Sequence, residues 1–413
     1  MKSKPTISRT SRIRHSQSRI YKVIAGVFIF FAVMTATHFI LKGLLHVGRN
    51  SAQQYPGEDI QVTRPLKSQV YFNNMVGATE LIQELIQRIN KAQHSIDIAI
   101  YAFNSPRLKN ALYAAHARGI KVTLILNKST RSVNNIIFSD LPQGITTVDA
   151  GTYDARHRKK TSYMHHKIIL IDRGHPSQEL LTGSFNFTDI GEKYVHSFFI
   201  VTHDETLITL YGKEFDLLKK GITGIAKLGH ESYNPWLGKI RYANGVVEVW
   251  MGPGFSRNSV RYRILELIDT AHKSLDLIMW DITDRQIAQA LLKKILSGVK
   301  VRIVAEDSVA ENKFSILPYL TSEKKKHSLS NLEIILDTKA AALITPGPEI
   351  PKGFNPYMHH HVMIVDEKTV VFGSNNWSTS GFYHNDEDTL ITDNAYITGE
   401  FKKTFSFFYE TLK

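Results

Sequence analysis

The chain has 413 residues, 43% hydrophobic and 22% charged, with a formal charge of +13 and no cysteine. It is long enough to bury two cores and too apolar to be disordered. The lack of cysteine excludes disulfides, thiolate nucleophiles and sulfur-ligated metal centres, and the positive balance favours polyanionic partners such as nucleic acid or an anionic membrane.

Lys2, Lys4, Arg9, Arg12, Arg14, Arg19 and Lys22 precede any acidic residue, and Val23 to Leu41 then runs without a charge. This pattern predicts a basic cytoplasmic tail over 1–22 and one N-terminal transmembrane helix over 23–41. Read as a signal anchor, it sends the remaining chain to the extracytoplasmic side, the periplasm if the membrane is a bacterial inner one. A cleaved signal peptide normally has a shorter apolar stretch and a small-x-small site, which is missing after Leu41. Residues 42–65 contain Gly, Pro, Ser and Gln without periodicity and are predicted to be a linker.

Beyond the linker the sequence says the same thing twice. Residues 91–129 align without a gap on 270–308, each reading as helix end, buried strand, turn, amphipathic helix, Gly and buried strand. Strands alternating with helices predict an α/β fold, and a repeat of this length predicts duplicated domains. The expected halves are 66–230 and 231–413, each a mixed β-sheet flanked by helices, with the boundary in the Gly-, Asn- and Pro-rich stretch 229–245. Near the end, Phe401, Phe405 and Phe408 recur at helical spacing and predict a final helix packed on the core.

Each half also places polar residues on a strand that should otherwise be apolar. "MHHKIILIDRGHPSQELLTGSFNFT" supplies His165, Lys167 and Asp172, then Gly183, Ser184 and Asn186; "MHHHVMIVDEKTVVFGSNNWST" supplies His359, His361 and Asp366, then Gly373, Ser374 and Asn376. Residues two apart on a strand share a face, so His165 and Lys167 project together, as do His359 and His361. Side by side on a buried face, such groups need a purpose. Attack on a phosphodiester suits them: one neutral imidazole acts as nucleophile at phosphorus, a second, protonated, gives its proton to the leaving oxygen, and the ammonium and Asn amides hold the non-bridging oxygens. The scheme requires no metal or cofactor. The triplet His359, His360 and His361 puts only two rings on one side, too few for a metal centre.

These residues resemble the phospholipase D superfamily, whose repeated HxKxxxxD motif followed by GSxN matches both halves. The resemblance covers about 66–413 and implies a covalent phosphohistidine intermediate. The segments "TGSFNFT" and "FGSNNWSTSGFYHNDED" are more similar to its endonuclease branch than to large lipases or cardiolipin synthases. Two positions depart from the pattern. His361 stands where the family has Lys, exchanging a permanent charge for a group that ordinarily titrates near neutral pH, which implies phosphate binding favoured by acid. Related nucleases carry an acidic residue eleven positions after the motif Asn that orients the motif histidine; Glu387 fits relative to Asn376, whereas the first half has Ser197. On this reading His165 has its Lys but no carboxylate and His359 its carboxylate but no Lys, so the nucleophile stays open between them.

Asp172 and Asp366 belong to the motifs but are expected to accept hydrogen bonds at a strand end. Gly183 and Gly373 are expected to allow close backbone approach, with Ser184, Asn186, Ser374 and Asn376 holding substrate. The basic run Arg156, His157, Arg158, Lys159, Lys160 lies just upstream of His165 and is expected to meet phosphates, whereas Lys324 to Lys326 read as solvated surface. The Pro-rich apolar stretch 340–358 before the second motif keeps an acyl chain in play. The expected function is phosphodiester cleavage, foremost in DNA or RNA. A phospholipase D or cardiolipin synthase-like activity is the alternative, and a catalytically silent polyanion-binding protein the second alternative.

Overall fold

The computed structural model describes residues 57–73, 80–128, 141–154, 159–255, 259–310, 312–338 and 356–413. The predicted tail, anchor and most of the linker lie outside the described residues, among which no helix is long and apolar enough to cross a membrane.

In chain order the first half runs β1 (Glu58–Gln61), β2 (Ser68–Phe72), α1 (Leu81–Lys91), β3 (Ser95–Ile100), α2 (Pro106–Ala117), β4 (Lys121–Asn127), β5 (Thr146–Ala150), β6 (Thr152–Asp154), β7 (Lys159–Ser162), β8 (Lys167–Ile171), β9 (Glu179–Gly183), α3 (Asp189–Tyr194), β10 (Val195–His196), β11 (Phe198–Thr202) and α4 (Glu205–Lys219). The second half runs β12 (Trp236–Tyr242), β13 (Gly245–Met251), α5 (Val260–Thr270), β14 (Ser274–Met279), α6 (Arg285–Leu296), β15 (Lys300–Ala305), α7 (Asp307–Ala310), α8 (Leu317–His327), β16 (Leu332–Leu336), β17 (Tyr357–Met358), β18 (His361–Val365), β19 (Thr369–Gly373), α9 (Thr379–Tyr383), β20 (Asp388–Thr392) and α10 (Ala395–Leu412).

The aligned stretches fold alike because the same local signals recur. Ser105 caps α2, accepting from Leu108 N–H at 3.4 Å, and Asp284 caps α6, accepting from Gln286 and Ile287 N–H at 2.9 and 3.0 Å. Gly119 and Gly298, at φ +89° and +93°, turn the chain after each helix into the next strand. Strands β3 and β14 are apolar runs covered on both faces.

The seven-stranded sheet has the order β2-β11-β9-β8-β3-β4-β5, and the nine-stranded sheet repeats it as β13-β20-β19-β18-β14-β15-β16 with β1 and β12 added at one edge. The predicted linker therefore ends early: β1 pairs in parallel with β12, Ile60 opposite Ile240, so the chain entering the first half first adds an edge strand to the second half's sheet. Ion pairs from Arg241 to Asp59 (3.0 Å) and from Lys213 to Glu58 (2.8 Å) fasten this polar strand.

Helices α1 and α2 cover the outer face of one sheet, and α5, α6 and α8 that of the other. The inner faces share a single core with α4 and α10, in which Tyr211, Phe215, Phe401, Phe405 and Phe408 meet strand residues of both halves such as Ile168 and Val362. Next to this core lies a fully buried ionic cluster. Lys227 bonds Glu214 and Asp386 (2.6 Å to the latter), and His166 lies 2.8 Å from Glu214 and 3.4 Å from Asp388, which also accepts from Thr182 (2.7 Å) and Tyr211 (3.0 Å). Burial disfavours a charged His166, but the two carboxylates outweigh it and push its pKa up to about 9. Removing one cation from such a cluster strands its buried carboxylates. Replacing Lys227 with Met is expected to destabilise the protein by about 3–5 kcal/mol, read as a lowered denaturant midpoint at unchanged slope.

Candidate active site

Alternation at the start of β8 and β18 sorts the motif residues. His165, Lys167, His359 and His361 face one way; His166 faces the ionic cluster, and His360 stacks on Phe72 and Phe198 at 6.3 and 5.6 Å between ring centroids. The halves are joined here by reciprocal main-chain bonds. His165 N–H donates to Asp386 O (2.9 Å) and Asp386 N–H to Tyr163 O (2.8 Å), while His359 N–H donates to His196 O (2.8 Å) beside the parallel pair β10 and β17.

The imidazoles are held across the same seam. Nδ1 of His165 lies 3.2 Å from the carbonyl oxygen of Ser374, and Nδ1 of His359 lies 2.9 Å from that of Ser184. A carbonyl only accepts, so each ring carries a proton on Nδ1 and keeps Nε2 for chemistry. The expected pairing of Glu387 with His359 is corrected. Its Oε2 sits 2.9 Å from Nδ1 of His165, in the other half, and also accepts from the Ser374 hydroxyl at 2.7 Å. His165 thus has both its Lys and a carboxylate. His359 has neither, because Ser197 occupies the place across the seam that Glu387 fills for its neighbour.

Burial lowers the pKa of His165; Glu387 opposes that effect and Lys167 adds to it. Burial lowers His359 further, well below the ordinary imidazole value, and Lys167 and His165 add to the effect. The Lys167 ammonium lies 3.2 Å from Nε2 of His165, and burial brings its pKa down to about 8 despite Glu387 and Asp388. His361 is corrected in the same direction. It does not titrate near neutrality, because burial and the adjacent His359, at 5.1 Å between ring centroids, hold it far below the ordinary value.

His165 and His359 open into one cleft of about 360 Å³, lined also by Asn186 and Asn376. Its walls are aromatic: Tyr101 and Tyr163 beside His165, Trp280 and Tyr357 beside His359. These four rings, and the half-buried carboxylate of Asp281 in the same lining, were missed in the sequence. A signal existed, because Tyr163 and Tyr357 each stand two residues before a motif histidine, and Tyr101 and Trp280 align in the repeat.

Other candidates fall elsewhere. Asp172, at φ +49°, accepts from the N–H groups of Gln93, His94 and Ser95 at 3.0, 2.7 and 3.0 Å; Asp366, at φ +50°, does the same for His272, Lys273 and Ser274 at 2.9, 2.7 and 3.0 Å. Burial alone would raise both carboxyls, but these donors hold them below the usual range. They anchor hairpins and do not join the motif histidines in the cleft. Ser184 and Ser374, expected to hold substrate, are fully buried, with hydroxyls engaged by Phe198 N–H and by Glu387 and Asp388. Their carbonyls hold the histidines. Gly183 and Gly373 do permit close approach: a Cβ at either would sit 2.4 or 2.2 Å from a carbonyl oxygen of the adjacent strand. Arg156, Arg158 and the side chains of Lys159 and Lys160 lie outside the described residues. Glu306 and Asp337, which the sequence did not mark, both accept from Met358 N–H, at 3.2 and 2.9 Å, steadying the approach to His359.

A family model described as cardiolipin synthase, phospholipase D-like domain, matches residues 85–219 and 264–408, one copy in each half. The chain belongs to the phospholipase D superfamily. Among its members, human mitochondrial cardiolipin hydrolase is 26% identical over 135 residues, 33% of this chain and 49% of that one. Phospholipase D of Rickettsia conorii is 29% identical over 161 residues, 39% of this chain and 74% of that one. The chain spans about half to six-tenths of the cardiolipin hydrolases it matches. The solved phosphatidylserine synthase of Haemophilus influenzae shares the fold, with a TM-score of 0.59 at 13% identity over 84% of this chain and 88% of that one. Glu387 reaches the cleft through His165, so if the site cleaves phosphodiesters Glu387→Gln is expected to lower kcat by about 10–100-fold with little change in KM, measured by steady-state kinetics.

Proposed function

We propose that the protein cleaves phosphodiesters through a phosphohistidine formed on His165. The observation that carries this reading is the Glu387 carboxylate on Nδ1 of His165, which fixes the tautomer whose Nε2 lone pair faces the cleft shared with His359. In the first step Nε2 of His165 bonds to phosphorus, the ester P–O bond on the far side breaks, and a proton on Nε2 of His359 passes to the leaving oxygen. In the second, His359 takes a proton from water, the hydroxide attacks phosphorus, and the N–P bond breaks to restore His165. An alcohol in place of water gives transfer. On this reading the amides of Asn186 and Asn376 in the lining, and Lys167 behind the lining beside Nε2 of His165, offset charge on the non-bridging oxygens.

For substrate we favour a phospholipid. The described residues lining the cleft include four aromatic rings and a carboxylate but no Arg or Lys, whereas a run of phosphates calls for cations along a groove. The relatives' names, cardiolipin hydrolase and phospholipase D, point the same way, as does the reading of 23–41 as an anchor that keeps the enzyme at a membrane on its extracytoplasmic side. Nucleic acid is the second reading, favoured by the charge of +13 and by aromatic walls on which bases stack.

The full chain in detergent, in EDTA, is to be assayed on phosphatidylglycerol and cardiolipin vesicles and on single- and double-stranded DNA and RNA, beside His165→Ala. Lipid turnover lost in the variant is expected. Nucleic-acid cleavage without lipid turnover establishes the second reading, and binding without turnover of anything removes the enzyme. The pH dependence has a defined sign. His359 must be protonated to act, and burial depresses its pKa in the free enzyme, so kcat/KM falls as pH rises through a value below the ordinary 6.5. A bound phosphodiester anion favours the imidazolium, so the alkaline limb of kcat is expected at higher pH than that of kcat/KM.

A further inference from the structure

In-line displacement puts the leaving oxygen on the side of phosphorus away from His165, toward His359. The residues around that half of the cleft therefore meet the leaving alcohol. Trp280 lies 5.0 Å from Tyr357 and 5.5 Å from His359 between ring centroids, and Asp281 follows Trp280 at the end of β14. One carboxylate oxygen of Asp281, Oδ1, is buried in the cleft wall with no hydrogen-bond partner. Burial raises its carboxyl above the usual range, with only the Ile282 N–H opposing. The repeat gives the control within the same molecule. Tyr101 is the counterpart of Trp280, but the residue after it is Ala102, so the His165 side of the cleft has an aromatic wall and no carboxylate there.

A carboxylate beside a phosphodiester site repels the phosphate and cannot be there to bind it. What it recognises is a hydrogen-bond donor, and a buried acceptor without one is costly. We infer that Asp281 selects phospholipids whose leaving headgroup carries a hydroxyl or ammonium donor, which its free Oδ1 accepts while Trp280 and Tyr357 flank the headgroup carbons. This rests on the reading of His165 as the nucleophile and of phospholipid as the substrate. A hydroxyl, as in a glycerol headgroup, and a primary ammonium, as in ethanolamine, share this chemistry. An aromatic wall with a carboxylate suits the ammonium as a cation as well.

The test uses the full chain in mixed micelles with phosphatidylglycerol, phosphatidylethanolamine or phosphatidylpropanol, the last having the carbon count of glycerol and no donor. Wild type is expected to favour at least one donor-bearing lipid over phosphatidylpropanol by about tenfold or more in kcat/KM. Asp281→Ala, which reproduces Ala102, is expected to bring that ratio to within about threefold of one. Asp281→Asn keeps an acceptor without the charge and keeps the side-chain volume should Ala not fold. With Asn, preference for phosphatidylglycerol survives if the hydroxyl is the ligand, and preference for phosphatidylethanolamine is lost if the ammonium is. Equal wild-type turnover of all three lipids, or a ratio unmoved in both variants, overturns the role of Asp281 and leaves the lipid phosphodiesterase standing. Turnover of none of the three, with cleavage of nucleic acid, overturns the substrate reading instead.

Discussion

The site depends on one hydrogen bond, from Nδ1 of His165 in the first half to the Glu387 carboxylate in the second, 2.9 Å apart and between two buried residues. A buried carboxylate needs donors. It has them in the imidazole and the Ser374 hydroxyl, and Asn385 adds its amide at 3.1 Å. Each donor is fixed in turn: His165 by its main-chain bond to Asp386, Ser374 by the strand β19 it follows. The chemistry therefore exists only when the halves are docked. Docking is secured from behind by the cluster of Lys227, Glu214, Asp386, His166 and Asp388. The residues alternate along the two segments at the seam, so that one face of His165–Lys167 and Asp386–Asp388 builds the site while the other builds the clamp.

The halves keep the same strand order but not the same chemistry. Where the first has Lys167 the second has His361, where the second has Glu387 the first has Ser197, and the charged setting of His166 becomes an aromatic stack around His360. The departures are correlated: both the cation and the carboxylate end up on His165. A neutral nucleophile is favoured on the ring whose Nδ1–H a carboxylate holds and whose Nε2 a neighbouring ammonium keeps unprotonated. The other ring is left in an environment that a bound anion can change more, since no carboxylate offsets its burial and its cationic neighbour Lys167 before substrate arrives. On the proposed mechanism, two copies of one motif divided in this way take two different tasks.

Much of the fold was legible because its signals are local. Buried strands read as apolar runs, Ile96–Ala102 and Leu275–Trp280 in the sequence against Ser95–Ile100 and Ser274–Met279 in the fold, and Gly119 and Gly298 marked the returns from helix to strand. Two features were not legible. Strand β1 is four residues, three of them exposed, with no apolar alternation, and it exists because the edge of β12 and two surface ion pairs accept it. The partner of Glu387 was misread because spacing along the sequence ties it to the motif of its own half. The bond is decided by how β20 meets the segment before β8, a tertiary register that no local pattern records. The same limit hid the function of Ser184 and Ser374, whose carbonyls matter more to the site than their hydroxyls.

The electrostatics of the cleft follow from this division and set what it can bind. Burial lowers the pKa of His165, Lys167, His359 and His361 alike, which favours neutral imidazoles in the free enzyme and leaves Lys167, at about 8, as the cation beside them. An arriving phosphodiester anion opposes those penalties, so its charge is matched by Lys167 and by protons taken up on the imidazoles. Such a site discriminates for a single anion that can reach the seam, since a neighbouring phosphate outside it meets none of these groups. Asp281 sharpens the same selection, because its carboxylate makes the His359 side hostile to any further negative charge. A lone phosphodiester bearing a polar alcohol satisfies both conditions, which is why the described walls of this cleft suit a lipid headgroup better than a polyanionic strand.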